Sequence, residues 1–458
     1  MMLKAKEIST KQKKYYMQCW GKQNEYNPIA VDRTKGCYIY TTDGRKIFDL
    51  RSAHECINLG FNNTEITDEI RKQLDNVIYV TDDFATEPTA SLSEKLSHMT
   101  PGKGNKKVWF GQSGAASVEA ALKISKFYKY SQINSNADNT FYSYPNKIIS
   151  RYRSWHGSTN GAASVSGDPR RWFNEPSTQP SLFAPEANCF RCPLNHRFPE
   201  CNLACAEYFE YMIEMEGGKD KVAAIILEPI VGSNGIILPP DGYFKRVREI
   251  CDKWNIVLII DETMSGVGRT GKMFAIEHYD IVPDIIIMGK ALGVNVPLSA
   301  VIMQSHIAEV FDENIFGHGQ SYSGHTLGCA SALASINYIE KYNVLGETTK
   351  KGIYLKKKLV DLKEKHPSIG EVRGIGLFWT IEIIKNIKTK EPVKMATEKY
   401  KRTIVSSIAD YLLNEKMIYI PSDKFGIWIV PPLIVTYKEL DYIVDSIDEA
   451  LLIADEQL

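Results

Sequence analysis

Short apolar runs alternate with amphipathic segments through the middle of the chain. Each run is almost continuously hydrophobic, which is typical of a strand buried on both faces of a parallel sheet. The intervening segments repeat their apolar positions at helical spacing, which predicts helices covering both faces. The predicted strands are Lys107–Phe110, Asn146–Tyr152, Ala223–Pro229, Ile256–Glu262, Asp284–Lys290 and Pro297–Met303.

Polar side chains follow three of these strands where each run stops. Gln112–Ala115 follow the first strand and open a predicted helix, whereas Asp261 and Lys290 end two later ones. Ligands of open α/β sheets bind at the carboxyl ends of the strands. We therefore expect these residues to meet at one edge of the sheet.

The two ends of the chain have a different pattern. Lys35–Leu50 alternates apolar and polar residues around Asp43-Gly44, which predicts a β-hairpin. Beyond about residue 330, amphipathic helices precede two more strands, Gly370–Ile384 and Ile427–Val435. We predict an N-terminal segment (1–60) that joins a small C-terminal α+β domain (329–458), and a large central domain (61–328).

Composition narrows the class of protein. The 55 basic and 55 acidic residues balance, so neither a nucleic acid nor a membrane surface is an expected partner. No apolar run approaches the roughly 20 residues of a membrane span, and the N-terminus lacks the apolar core of a secretory signal. Nine cysteines without such a signal favour a reducing compartment. We expect a cytoplasmic protein.

Lys290 and Asp261 are the residue types that pyridoxal 5'-phosphate requires. A lysine amine forms a Schiff base with the aldehyde of this cofactor, and a carboxylate keeps its pyridine nitrogen protonated. A helix that begins beside Ser113 presents unpaired N–H groups to a phosphate. A surface lysine and an ordinary strand–helix turn are the alternatives for each feature taken alone.

Seven segments in order resemble one known family over nearly the whole chain. They are FGQSGAASVEAALK (110–123), WHGST (155–159), ILEPIVGSNG (226–235), IDETMSGVGRTG (260–271), GKAL (289–292), GHGQSYSGH (317–325) and PPLIV (431–435). The chain resembles a class III (omega) aminotransferase of pyridoxal-phosphate fold type I. The resemblance implies a mostly parallel seven-stranded sheet flanked by helices, and HGST is closest to the ω-amino acid and taurine:pyruvate branch.

The resemblance also implies roles for individual residues. Lys290 and Asp261 would be catalytic, with Lys290 forming the internal aldimine of a ping-pong transamination. Ser321, after Gln320, matches a family threonine that reaches the phosphate of a neighbouring subunit, which implies a homodimer with a shared active site. The implied cofactor-binding residues are Ser113, Gly114, Ala115, Trp155, His156, Glu228, Asp261, Thr263, Lys290 and Ser321.

Two departures from the family concern the substrate. Ser158 replaces the arginine of the branches that use 4-aminobutyrate or ornithine. The arginine that usually binds a keto-acid carboxylate is also missing, because its two usual places are Pro421 and Trp428. Lys424 and Arg51 are the candidate replacements for that arginine. His54 and Glu55 lie where relatives have apolar pocket residues, which favours a polar or cationic substrate.

Two alternatives follow from the sequence. Without the arginine, the same lysine and aspartate would also suit an amino-acid epimerase or aminomutase, which needs no keto-acid acceptor. Separately, a CxxC…CxxxC pattern lies at the end of a long proline-rich connection, Ser166–Asn202. The spacing of its four thiols suits a structural zinc site, and the alternative is that the spacing is a coincidence. In either case we predict no catalytic metal. These thiols belong to Cys189, Cys192, Cys201 and Cys205.

Overall fold

The computed structural model describes residues 5–134, 144–177, 179–393, 402–421 and 425–458. Its strands are β1 (Val31–Lys35), β2 (Tyr38–Thr41), β3 (Lys46–Asp49), β4 (Lys107–Gly111), β5 (Lys147–Arg151), β6 (Ser181–Ala184), β7 (Val222–Leu227), β8 (Val257–Asp261), β9 (Ile285–Met288), β10 (Ser299–Met303), β11 (Ile369–Ile375), β12 (Phe378–Asn386), β13 (Glu391–Pro392), β14 (Ile418–Tyr419) and β15 (Gly426–Ile429).

The helices of the described residues vary from single turns to six turns. They are α1 (Ala5–Tyr15), α2 (Ser52–Glu55), α3 (Thr64–Leu74), α4 (Glu87–Met99), α5 (Gly114–Asn134), α6 (Asn160–Ser164), α7 (Ala204–Met215), α8 (Tyr243–Trp254), α9 (Ser305–Ala308), α10 (Thr326–Lys341), α11 (Val344–Lys365), α12 (Ile404–Glu415) and α13 (Tyr437–Asp455). Within the described ranges, none combines the length and the apolar character that a bilayer span requires.

The chain divides into two compact units. The large unit comprises Glu65–Ile353 and Arg373–Trp379, and the small unit comprises Met1–Thr64, Tyr354–Val372 and Thr380–Leu458. The sequence predicts the last boundary at 328/329. The division falls at 353/354 instead, because α10 and the start of α11 lie in the large unit.

The large unit contains a seven-stranded sheet with the order β4-β10-β9-β8-β7-β5-β6. Strand β10 runs antiparallel to both of its neighbours, and the pairs from β9 to β6 are parallel. The carboxyl ends of β4, β8 and β9 therefore share one edge. This sheet confirms the predicted fold class, and its buried strands are the apolar runs of the sequence.

Edge strand β6 was not predicted. The sequence pattern predicts a connection over Ser166–Asn202, but Ser181–Ala184 pairs in parallel with β5, from Ile148↔Ser181 to Arg151↔Ala184. Only one of its four residues is buried. A short edge strand of this kind lacks the continuous apolar run that revealed the central strands.

The core of the large unit lies between the sheet and its helices. Helix α5 packs one face against the strands through a row of fully buried side chains, and β7, β8, β9 and β10 contribute the opposing residues. The helix residues are Val118, Ala121, Leu122 and Ile124, and their partners on the sheet include Ala224, Ile226, Ile259, Ile287 and Val301. This packing fixes the start of α5 beside the ends of the strands.

The small unit contains the predicted hairpin. Strands β2 and β3 pair antiparallel, from Tyr38↔Phe48 to Tyr40↔Lys46, around a turn in which Gly44 has a φ of +90°. Strand β14 from the C-terminal part then pairs in parallel with β3. The order β1-β2-β3-β14 confirms that the hairpin joins the C-terminal segments in one α+β unit. A further sheet has the order β11-β12-β13, with β15 paired to β12.

Candidate active site

Three strand ends meet around Thr263, which follows β8. A methyl group added at Gly114, the first residue of α5, would lie 2.8 Å from Thr263 Cγ2. One added at Gly289, which follows β9, would lie 3.1 Å from the same atom and 3.5 Å from the Cα of Gly114. The two glycines thus allow the loops after β4, β8 and β9 to touch. This contact brings Asp261 and Lys290 to the start of α5, as the sequence predicted.

The start of α5 is arranged to bind an anion. Ser113 precedes the helix, its Oγ accepts the Ala116 N–H at 3.2 Å, and its carbonyl accepts the Ser117 N–H at 3.1 Å. Ser113 is therefore the N-cap residue. The first N–H groups of the 21-residue helix point out of its end, where the helix dipole also favours negative charge. Gly114 and Ala115 supply such groups.

Asp261 and His156 form a buried pair. The Nδ1 atom of His156 lies 2.8 Å from Oδ2 of Asp261, and the two residues are each 3 % exposed. Oδ1 of Asp261 accepts the backbone N–H of Thr263 at 3.0 Å. Because a carboxylate only accepts, Nδ1 carries the proton in this pair. The pair holds the Asp261 carboxyl group at the end of β8 in a fixed orientation.

The loop that carries Trp155 is fixed by Glu228, which follows β7. Oε1 of Glu228 accepts the Trp155 N–H at 3.0 Å, and Oε2 accepts the Gly232 N–H at 2.9 Å. Burial raises the pKa of this carboxyl group. A methyl group added at Gly157, whose φ is +136°, would lie 2.6 Å from the Cβ of Ala115. The loop therefore packs closely on the start of α5.

Lys290 has a constrained backbone. It begins a 3-10 turn, Lys290–Leu292, with a φ of +46°, and its side chain is partly exposed. Left-handed conformations are costly for residues other than glycine and tend to persist at functional sites. The turn directs the chain away from the sheet directly after β9. Lys290 therefore lies at the edge of the sheet, directly after β9 and before β10.

The residues at this edge fit pyridoxal 5'-phosphate. The helix terminus provides backbone N–H groups for a phosphate, and Gly114 lets that terminus lie close to Thr263 after β8. Two polar atoms, Gln112 Nε2 and Thr263 Oγ1, are buried without a hydrogen-bond partner among the described residues. Buried polar groups normally have partners, so their presence here indicates a polar ligand nearby. Lys290 and Asp261 supply the amine and the carboxylate that this cofactor requires.

The residues that support this site have no recognisable signal in the sequence. Ser166 Oγ accepts the His156 N–H at 2.9 Å, and Ser150 Oγ lies 3.4 Å from Nε2 of the same ring. Asp168 and Arg170 also approach the loop of Trp155. None of these residues belongs to a recognisable motif, because serines and an Asp-Pro-Arg turn occur widely in loops. Only the tertiary contacts reveal them.

Ser321 lies in the segment before α10 and is exposed. Its carbonyl accepts a hydrogen bond from the Tyr79 hydroxyl group. Gln320 precedes it, and the backbone N–H of Gln320 donates to Ser323 Oγ at 3.1 Å. The segment is thus attached to the large unit through Tyr79. The role of Ser321 toward a second subunit stays a prediction.

The candidates for binding a substrate carboxylate lie in the small unit. Arg51 Nε is 3.1 Å from Oε1 of Glu55, and both side chains are buried. The Arg51 guanidinium also lies 5.2 Å from the ring centroid of Trp428, which is 1 % exposed. Arg51 is therefore already neutralised by Glu55. His54 is exposed, and Lys424 lies outside the described residues.

The four clustered thiols surround one small cavity. Cys189, Cys192, Cys201 and Cys205 are among the residues that line a space of about 20 Å³, which is enough to hold one water molecule. Burial and the three neighbouring thiols raise the pKa of Cys205 to about 11. Within the described part of the chain, no group of three or more His, Cys, Asp or Glu side chains is arranged to hold a metal ion. The zinc alternative remains a prediction of the sequence without support from the structure.

The fold and the site define a pyridoxal-phosphate-dependent transferase, and comparison with known proteins agrees. The family model "Aminotransferase class-III" matches residues 20–451. The chain therefore belongs to the class III aminotransferases, pyridoxal-phosphate-dependent enzymes of fold type I.

Individual relatives include enzymes of two activities. The taurine–pyruvate aminotransferase of Bilophila wadsworthia is 31 % identical, with 98 % of each chain covered. A leucine/methionine racemase of Thermococcus litoralis is 32 % identical over 94 % of this chain and 92 % of the relative. Among solved structures, a taurine:2-oxoglutarate aminotransferase of Bifidobacterium kashiwanohense, in complex with pyridoxal phosphate and glutamate, has a TM-score of 0.92, 32 % identity and full coverage of both chains. The two taurine aminotransferases support a place in the omega and taurine branch.

Proposed function

We propose that this enzyme transfers the amino group of an ω-amino acid, a taurine-like compound or a related primary amine to a keto acid such as pyruvate or 2-oxoglutarate, by a ping-pong mechanism. The observation that carries the proposal is the convergence of Lys290, the Asp261–His156 pair and the start of α5 at one sheet edge. The taurine aminotransferases among its relatives support the donor class.

Bound pyridoxal phosphate supplies a carbonyl that captures the amine and a ring that withdraws electrons from it. Lys290 moves a proton at the amine-bearing carbon of the substrate, because its amine is the base that the site presents. Asp261 provides a fixed negative charge, and His156 holds its Oδ2 atom in place. The N–H groups at the start of α5 bind the phosphate. Trp155 covers one face of the ring.

We further propose a cytoplasmic homodimer whose partner subunits complete each other's sites through Ser321. Its exposed position suits such a role. Large apolar side chains are exposed on the same unit, namely Ile315, Phe84 and Tyr322 at 88 %, 67 % and 55 %. A contiguous patch of such side chains would mark an interface. Sedimentation of the holoenzyme should give twice the 51.7 kDa mass of one chain.

An amino-acid epimerase is the second candidate. Two observations favour it: the 32 % identity to a leucine/methionine racemase, and the absence of arginine at positions 421 and 428. An epimerase returns the proton to the same substrate carbon and therefore needs no site for a keto acid. Lys290 and Asp261 would have the same roles in both reactions.

A half-reaction distinguishes the two candidates. The holoenzyme is mixed, without a keto acid, with taurine, β-alanine, 4-aminobutyrate, alanine, glutamate or a diamine. Loss of the visible absorbance with one of these amines, and its return on adding a keto acid, is the result expected of the aminotransferase. Unchanged absorbance, with exchange of the α-proton of an amino acid for solvent deuterium, would contradict it and establish epimerisation.

A further inference from the structure

A guanidinium group stacks on the indole of Trp155. The Arg170 guanidinium carbon lies 3.6 Å from the centroid of the Trp155 ring. This is van der Waals distance, so the guanidinium carbon contacts one face of the ring. The backbone of Trp155 is held separately by Glu228, as described above. Arg170 therefore acts on the orientation of the ring and not on the position of the loop.

Asp168 fixes the plane of this guanidinium. Oδ1 of Asp168 accepts from Arg170 Nε at 3.0 Å and Oδ2 accepts from Nη2 at 3.1 Å, a bidentate pair. Oδ1 also accepts the backbone N–H of Arg170 at 2.8 Å. Asp168 is fully buried, and Asn234 Nδ2 donates to its Oδ2 at 2.6 Å. The carboxylate therefore has a fixed position, and its hydrogen bonds to Arg170 fix the position of the guanidinium as well.

The same pairing neutralises the charge of Arg170. A lone cation over an aromatic ring acts mainly through its charge. Here the carboxylate lies within hydrogen-bond distance of the guanidinium, so the net charge above the ring is small. What remains is a planar group, held by a bidentate pair, in contact with one face of an indole. Shape and dispersion then dominate the contact.

We propose that Arg170 is a positioning residue for the cofactor, whose planar group, held by Asp168, fixes the tilt of Trp155 against which the cofactor ring stacks. This inference rests on the proposed role of Trp155 in covering that ring. An aromatic ring has two faces, and Arg170 occupies one, so the cofactor takes the opposite face. A ring held at one tilt loses less rotational freedom when the cofactor binds.

Variants of Arg170 separate shape from charge. Arg170→Met removes both the planar group and the charge, Arg170→Lys keeps only the charge, and Arg170→Gln keeps a smaller planar group. Arg171→Met is the matched control, because Arg171 lies on the same turn but stacks over Phe183 at 4.8 Å and pairs with Glu175 at 3.2 Å. The control removes an equivalent side chain without touching Trp155.

The experiment titrates each apoenzyme with pyridoxal phosphate and records the Kd, the visible circular dichroism of the bound cofactor and the apoenzyme Tm. We expect Arg170→Met and Arg170→Lys to raise the Kd about two- to ten-fold, which is the cost of ordering one side chain on binding, and to weaken the circular dichroism, which reports ring tilt. Arg170→Gln should lie between these variants and wild type. Arg171→Met should match wild type in all three.

Four results would overturn the proposal. Equal Kd and circular dichroism for Arg170→Met and Arg171→Met would show that Arg170 does not act on the cofactor. Full recovery by Arg170→Lys would show that charge, and not the planar group, is what matters. If wild-type protein itself fails to bind pyridoxal phosphate, the proposed function fails as well, which distinguishes that outcome from the first two. Loss of affinity in step with a large fall in apoenzyme Tm in every Arg170 variant would mean general unfolding and contradict a positioning role.

Discussion

Nδ1 of His156 and Oδ2 of Asp261 lie 2.8 Å apart in a region where both side chains are buried. The two residues are 105 positions apart in the sequence, on a loop and at the end of β8. The imidazole satisfies one carboxylate oxygen, and the Thr263 N–H satisfies the other. A buried carboxylate with both oxygens engaged keeps one orientation, which a fixed partner for a ring nitrogen requires.

Removing the imidazole should weaken cofactor binding. His156→Ala leaves Oδ2 of Asp261 without its donor, at a cost of about 1–3 kcal/mol, which corresponds to roughly 5- to 150-fold in cofactor Kd or in stability. His156→Asn is the matched variant, because its amide nitrogen occupies the position of Nδ1. Titration with pyridoxal phosphate should show near-normal affinity for Asn and reduced affinity for Ala. Equal losses in both variants would mean that the hydrogen bond itself contributes nothing.

Lys290→Ala should abolish turnover while the fold and the phosphate site persist. The amine is the group that moves the substrate proton, and loss of such a base alone costs about 10²–10⁴ in rate. Steady-state transamination and equilibrium dialysis of the cofactor measure the two properties. Lys272→Ala, at an exposed position of the same unit, is the control and should remain active. Near-normal activity of Lys290→Ala would contradict the assignment of the site.

Glu262 should make the protein less stable as pH rises. Burial raises its pKa from an ordinary 4.5 to about 7, against the hydrogen bonds from Ser265 Oγ and the Ile276 N–H. The folded state therefore holds a proton there that the unfolded state releases, so this contribution is complete below pH 4.5 and is lost by about pH 7.

Glu262→Gln removes this dependence on pH. The unfolding free energy of wild type relative to Glu262→Gln should fall by roughly 3 kcal/mol between pH 4.5 and pH 8. Urea denaturation at several pH values measures it. Glu94→Gln, on the exposed face of α4, removes a charge without burial and should run parallel to wild type. A wild-type stability that rises across this window relative to Glu262→Gln would reverse the predicted sign.

The turn α2 should be stabilised by glycine. Ala53 has φ +47° and ψ +57°, and its neighbours from Ser52 to Glu55 also have positive φ. A left-handed residue other than glycine costs about 1–2 kcal/mol, and glycine loses about 0.5–1 kcal/mol through backbone entropy. Ala53→Gly should therefore raise the unfolding free energy by about 0.5–1 kcal/mol in urea denaturation. The control is Ala409→Gly in the right-handed helix α12, which should lower the unfolding free energy by at least as much. If both variants lower the unfolding free energy, α2 is not strained.

The sequence by itself determined the central sheet and the chemistry at its edge. Continuous apolar runs are a local property, and they revealed six of the seven strands because a strand buried on both faces needs no particular neighbour. The lysine and aspartate were equally evident, because each directly follows such a run. Edge strand β6 was not predicted, because only one of its four residues is buried and the segment therefore has no continuous apolar run.

Only the tertiary structure decided how the site is supported. The supporting contacts join loops that are far apart in the sequence or lack a motif. His156 bonds to Asp261, and Glu228 bonds to the backbone of Trp155. Arg170 contacts both Trp155 and Asp168. The sequence suggests Arg51 as a candidate for binding a substrate carboxylate, but the tertiary structure pairs Arg51 with Glu55. Which polar groups pair depends on which loops the packed sheet brings together. The local sequence does not determine this.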